Sequence, residues 1–144
     1  MAQDRSYERE DGTDALVALI LVSHSRAIAE GIAELVGQIA PGVPIAGVGG
    51  AVDGTLGTDV SRICASLRAV GPRRHAVVLV DIGSSLLSVR AALGLLGEEQ
   101  RARVHVADAP LVEGAIAAGV AAAARAPASA VVHAAEETRR ALKL

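Results

Sequence analysis

The sequence predicts an α/β domain: an open, doubly wound parallel sheet of strand order 2-1-3-4, helices on both faces and room for an extra edge strand. Three observations predict it. Four short, almost uninterrupted apolar runs alternate with segments of helical periodicity. Each run stops on a turn rich in Gly, Ser, Asp or Pro. The chain has 51% hydrophobic residues yet no Phe or Trp, so its core must be built from Leu, Val, Ile and Ala, which suits helices packed closely on a sheet.

The first strand is the apolar run 16–22, which ends on Ser23-His24-Ser25. A helix follows, with Ile28, Ile32, Leu35 and Ile39 expected on its inner face. Pro41-Gly42 closes it, and residues 43–48 read as the second strand. The glycine-rich stretch 49–58 is a loop, after which Thr58 is expected to cap a helix buried through Val60, Ile63, Cys64, Leu67 and Val70.

The third strand, 76–80, leads into Asp81-Ile82-Gly83-Ser84-Ser85 and a helix facing inward with Leu86, Val89, Leu93 and Leu96. The fourth strand, 104–107, is followed by the polar turn 108–114, an Ala-rich helix to about Ala124, and a last helix starting at Ser129. Residues 1–14 alternate acidic and basic side chains without an apolar core, so they are expected to be a disordered tail, neither signal peptide nor anchor, ahead of one domain at 15–144.

Composition also narrows function. A net charge of -2 and a single aromatic, Tyr7, argue against nucleic acid. No apolar run is long enough to cross a bilayer, and one cysteine, Cys64, allows no internal disulfide. A cytoplasmic protein with no metal and no bound cofactor is expected. His75, His105 and His133 fall within or near element ends and are read as structural, and Cys64 as a small buried hydrophobe.

In a 2-1-3-4 sheet the order reverses between strands one and three, where ligands collect at the carboxyl edge. That topology sets His24 beside Asp81. A helix amino terminus disfavours the imidazolium and welcomes an anion, a combination that suggests phosphoryl chemistry. Asp81 is placed to hold one ring nitrogen as N–H and leave the other free to attack phosphorus. Backbone N–H groups near Ser25, Gly49, Gly50 and Gly83 are candidates to bind the phosphoryl oxygens. The residues leave a second reading open: His24 and Asp81 as helix caps, in a non-catalytic flavodoxin-like module that binds an anion or a regulator.

These residues resemble the phosphotransferase subunits of PEP-dependent dihydroxyacetone kinases, a branch of the mannose-type enzyme IIA class. The matching runs are LVSHSRAIAEGIAEL at 21–35, VPIAGVGG and DGTLGTD within 43–59, VLVDIGSS at 78–85 and DAPLVEGA at 108–115. The resemblance implies that His24 accepts a phosphoryl group from the phosphocarrier HPr and passes it to ADP on the subunit DhaL, whose ATP then serves dihydroxyacetone phosphorylation on DhaK. It also implies a homodimer, and HPr supplied by a separate protein. Two departures stand out: Ala51-Val52 replaces a more polar pair, and Ser85 occupies a position where a small apolar residue is common. The alternative within the class is a sugar-transporter IIA that donates to a IIB protein.

Overall fold

The computed structural model describes residues 15–144; the expected tail, 1–14, lies outside the described residues. Four parallel strands, β1 (Val17–Ser23), β2 (Ile45–Gly49), β3 (His75–Val80) and β4 (Val104–Val106), form one sheet in the order β2-β1-β3-β4. The expected order is the observed one. No fifth strand occurs among the described residues, so the sheet stops at four.

The helices are α1 (Arg26–Ile39), α2 (Val60–Ala69), α3 (Gly83–Gly94), α4 (Glu98–Arg101), α5 (Leu111–Ala123) and α6 (Ala128–Glu137), followed by a 3₁₀ turn at Thr138–Arg140. Side chains of β1 and β3 alternate between two cores. Val17, Leu19, Leu21, Val77 and Leu79 pack under α1, α5 and α6, while Ile20, Val22 and Val78 pack under α2 and α3 with Val48. Every residue of β1 is buried, as expected for a central strand covered on both faces.

Four local readings are corrected. The inner face of α1 is Ala29, Ile32 and Val36, whereas Ile28, Leu35 and Ile39 are half exposed. The cause is close approach: a Cβ on Gly47 would lie 2.4 Å from the carbonyl oxygen of Ala29, and one on Gly49 would lie 2.4 Å from that of Ser25. The helix lies almost backbone-on-backbone over β2 at Ser25 and Ala29, which sets its rotation so that Ala29, Ile32 and Val36 face the core and Ile28, Leu35 and Ile39 are turned away. Asp59, rather than Thr58, caps α2 by accepting from the Ser61 N–H at 3.0 Å. Thr58 instead shares a hydrogen bond with Ser88 of α3.

The turn 108–114 is shorter than expected, because α5 already begins at Leu111 and Gly114 is buried within it against Leu79. The last helix likewise starts one residue early, at Ala128. Its end ties down the β4–α5 turn: Asp108 donates its N–H to Glu136 Oε1 at 3.1 Å, Arg139 reaches Asp108 at 3.0 Å, and Lys143 reaches Glu113 at 2.7 Å.

Cys64 is buried and reduced, as expected for a small hydrophobe. His75 and His105 stack on each other at the amino end of the sheet, with His75 Nδ1 and His105 Nε2 2.8 Å apart. Burial first, and the neighbouring His75 second, push the His105 imidazole below its ordinary value. No helix among the described residues is long and apolar enough to cross a membrane.

The contact between β2 and α1 yields a direct test. Gly49→Ala places a methyl group against the Ser25 backbone, with no flexible side chain to give way. Overpacking of this kind costs about 1–3 kcal/mol. The expected outcome is a lower midpoint in urea denaturation, whereas Gly31→Ala, which meets nothing within 4 Å, should leave the midpoint unchanged or raise it.

Candidate active site

The carboxyl ends of β1 and β3 lie side by side, with Val22 paired to Val80 in register. The next residues on each strand therefore emerge together at the point where strand order reverses. Asp81 N–H continues the ladder by donating to Val22 O at 3.1 Å, which fixes Asp81 against the start of the His24 turn.

The Asp81 carboxylate gathers five donors. Oδ2 accepts from the backbone N–H of His24 at 2.9 Å and from the Ser23 hydroxyl at 3.0 Å. Oδ1 accepts from the Ile82 N–H at 2.7 Å and from the Ser85 hydroxyl at 2.6 Å. The fifth is His24 Nδ1, 3.1 Å from Oδ1 and 3.2 Å from Oδ2. Side-chain exposure is 28% for His24 and 19% for Asp81, enough for a partner to reach the ring while the carboxylate stays mostly covered.

Burial alone would raise the Asp81 pKa. The hydrogen bonds from Ser85, from the His24 and Ile82 N–H groups and from Ser23 outweigh it and hold the carboxyl well below the usual carboxylate range. Asp81 is thus an anion that accepts but does not take protons.

That charge state settles the hydrogen-bond polarity around the ring. An ionised carboxylate only accepts, so Nδ1 is the nitrogen that carries hydrogen towards it, and in the neutral imidazole the lone pair falls to Nε2. Ser84 Oγ lies 2.8 Å from Nε2, and in the neutral ring its hydroxyl donates to that nitrogen.

The backbone around His24 is equally tied. Ser25 caps α1 through its hydroxyl, which accepts from the Ile28 N–H at 3.3 Å, and Ser25 N–H donates to Ser23 Oγ at 3.0 Å. Both polar groups of Ser25 therefore serve the turn itself. Gly49 and Gly50 are buried beside it, Gly49 as the last residue of β2 with its carbonyl accepting from Arg62 at 3.1 Å. Gly50 has φ +82°, a conformation that favours glycine. The loop beyond folds back, and the Gly57 N–H donates to the His24 carbonyl at 2.9 Å. Gly83 is the first residue of α3, a helix start with no side-chain cap.

The structure therefore brings His24, Asp81, Ser25 and Gly83 to one edge of the sheet, with Gly49 and Gly50 on the adjoining turn. Sequence reasoning missed Ser23, Ser84 and Ser85 as parts of the constellation. Ser23 ends β1 beside His24, and the hydroxyl pair sits three and four residues after Asp81 at the opening of α3; that i, i+4 spacing is the signal that would have found Ser85. Among the described residues no three His, Cys, Asp or Glu side chains gather into a metal-binding group.

Comparison with known proteins places this site in context. The protein-family model described as PTS system fructose IIA component, EIIA-man, matches residues 18–134. The phosphoryl donor subunit DhaM of the PEP-dependent dihydroxyacetone kinase of Escherichia coli K12 is 39% identical over 137 residues, covering 90% of this chain and 29% of that protein. This chain thus spans under a third of that relative's length. The phosphoryl donor subunit DhaM of PEP-dependent dihydroxyacetone kinase 2 of Listeria innocua is 39% identical over 106 residues, covering 73% of this chain and 85% of that protein. A crystal structure of a protein of unknown function, EF1359, superposes with a TM-score of 0.78 at 34% identity, over 83% of this chain and 92% of that one. With the fold and sequence in agreement over most of both chains, the protein belongs to the EIIA-man family and, within it, to the DhaM group.

Proposed function

We propose that this chain is a phosphoryl relay in which Nε2 of His24 accepts a phosphoryl group from the phosphohistidine of HPr and passes it to ADP held on a DhaL subunit. The observation that carries the proposal is the pairing of a partly exposed His24 with an ionised Asp81 at Nδ1, which leaves Nε2 as the nucleophilic atom. In the first step the Nε2–P bond forms as the donor's N–P bond breaks, and the donor imidazole leaves. In the second, a terminal oxygen of ADP attacks phosphorus, the Nε2–P bond breaks, and ATP is the product. The proton on Nδ1 stays in place through both steps.

Phosphoryl transfer has a loose transition state, so the protein chiefly aligns the groups and stabilises the equatorial oxygens. Asp81 fixes the ring plane. The Ser84 hydroxyl, already 2.8 Å from Nε2, turns from the lone pair to a phosphoryl oxygen once the bond has formed. The uncapped start of α3 at Gly83 supplies N–H donors and the positive end of the helix dipole. Gly49, Gly50 and Ser25 shape the opposite wall, and no metal or nucleotide on this chain enters either step. The reading includes a cytoplasmic homodimer and DhaK as the eventual user of the ATP.

Three outcomes test it. Incubation with enzyme I, HPr and labelled phosphoenolpyruvate should label the wild-type chain with an acid-labile, base-stable mark, and His24→Ala should reduce the label to background while melting as the wild type does. Addition of DhaL and ADP should discharge the label into ATP; discharge only to a IIB protein would instead mark a sugar-transporter IIA.

Asp81→Asn should slow labelling at least about tenfold, since the amide can donate to Nδ1 and so favours the wrong tautomer. Labelling at the wild-type rate would reduce Asp81 to a structural role.

The same residue sets a pH dependence of stability. Its folded pKa lies below the ordinary 3.8, so its contribution is complete above the unfolded value and is lost as pH falls through and below it. Urea denaturation between about pH 5 and pH 2 should therefore show a steeper loss of stability in the wild type than in Asp81→Asn.

A further inference from the structure

Ser85 is fully buried, the third residue of α3, and its side chain has two partners. Its Oγ lies 2.6 Å from Asp81 Oδ1 and 3.1 Å from His24 Nδ1. A hydroxyl has one hydrogen, and the ionised carboxylate can only accept it. The Ser85 oxygen is then left with lone pairs alone towards Nδ1, so it too can only accept.

This matters because the contact between Asp81 and the ring is nearly symmetric. Nδ1 is 3.1 Å from one carboxylate oxygen and 3.2 Å from the other, an arrangement that lets the ring rock between them. A third acceptor at 3.1 Å, held rigid in the core, converts that shared contact into a fixed three-point cradle. The same hydroxyl also fixes the carboxylate's rotation through the 2.6 Å bond to Oδ1.

We propose that Ser85 is a positioning residue of the relay: it locks the Nδ1–H tautomer and the ring plane of His24, and through them the aim of the Nε2 lone pair. Its kinetic consequence rests on the relay reading above; its effect on the ring does not. A small apolar residue at this position would leave Asp81 to hold the ring alone.

The experiment uses the full chain labelled with 15N at histidine. Long-range 1H–15N correlation reports the tautomer of His24, and the rate of labelling by phosphorylated HPr reports transfer. In the wild type the Nδ1–H form should dominate, with a slowly exchanging Nδ1 proton. In Ser85→Ala the Nε2–H form should rise at least fivefold and that proton should exchange faster, while the labelling rate at saturating HPr falls about three- to tenfold with little change in the HPr concentration needed for half-saturation. Ser85→Gly provides the same readout should Ser85→Ala fold poorly.

A tautomer ratio within twofold of wild type overturns the proposal, and so does an unchanged labelling rate in a chain that is otherwise labelled. A shifted tautomer in Ser85→Ala combined with a wild type that HPr never labels would uphold Ser85 as the residue that positions the ring and overturn the relay.

Discussion

The site depends on one carboxylate. Asp81 is the first residue beyond β3, and its oxygens collect donors from β1, from the His24 turn, from its own turn and from α3. Each of those segments would otherwise end in unpaired polar groups near the core, a costly arrangement for a buried chain. The carboxylate satisfies them together, and in doing so stays charged despite partial burial. A charged Asp81 in turn dictates which nitrogen of His24 carries hydrogen. The polarity of the His24 ring at Nδ1 is thus a by-product of how the two strand ends are tied.

That tie requires parallel neighbours. Only because β1 and β3 pair directly, with Val22 against Val80, do residues 57 apart in sequence meet as His24 and Asp81. β2 contributes differently. Its glycines bring α1 down onto the sheet, which sets the height of the Ser25 cap and hence of His24 just before it. The loop after β2 then returns, and the Gly57 N–H holds the His24 carbonyl. The His24 backbone is fixed from both sides, while its ring stays partly exposed.

Much of this was legible in the sequence. Alternation of short apolar runs with helical periodicity gave the strand order, and the order gave the pairing of His24 with Asp81. The misreadings share a cause. In α1 the periodicity predicts Ile28, Ile32, Leu35 and Ile39 on the inner face, yet the close approach of β2 to the Ser25 and Ala29 backbone sets a rotation that buries Ala29, Ile32 and Val36 instead of Ile28, Leu35 and Ile39. Hydrophobicity marks which residues prefer burial; the backbone contact between elements decides which of them the helix turns inward. Ser23, Ser84 and Ser85 escaped notice because a serine near a helix start is ordinarily a cap, and one-dimensional spacing does not reveal that three hydroxyls converge on one imidazole and its carboxylate.

The serines also explain how one ring can be both held and released. Nδ1 faces the mostly covered Asp81 carboxylate and the buried Ser85 hydroxyl, which are bound to each other, whereas Nε2 faces a single hydroxyl on an exposed residue, Ser84. Rotating a surface hydroxyl costs little beside breaking a buried network, because water replaces the lost bond on one side and nothing replaces it on the other. The imidazole is therefore anchored on the edge that must not change and lightly covered on the edge that must react. In the relay proposed above, a phosphoryl group arriving at Nε2 would displace only the Ser84 contact and leave the bonds to Asp81 in place, so that transfer to and from the ring would use one ring orientation.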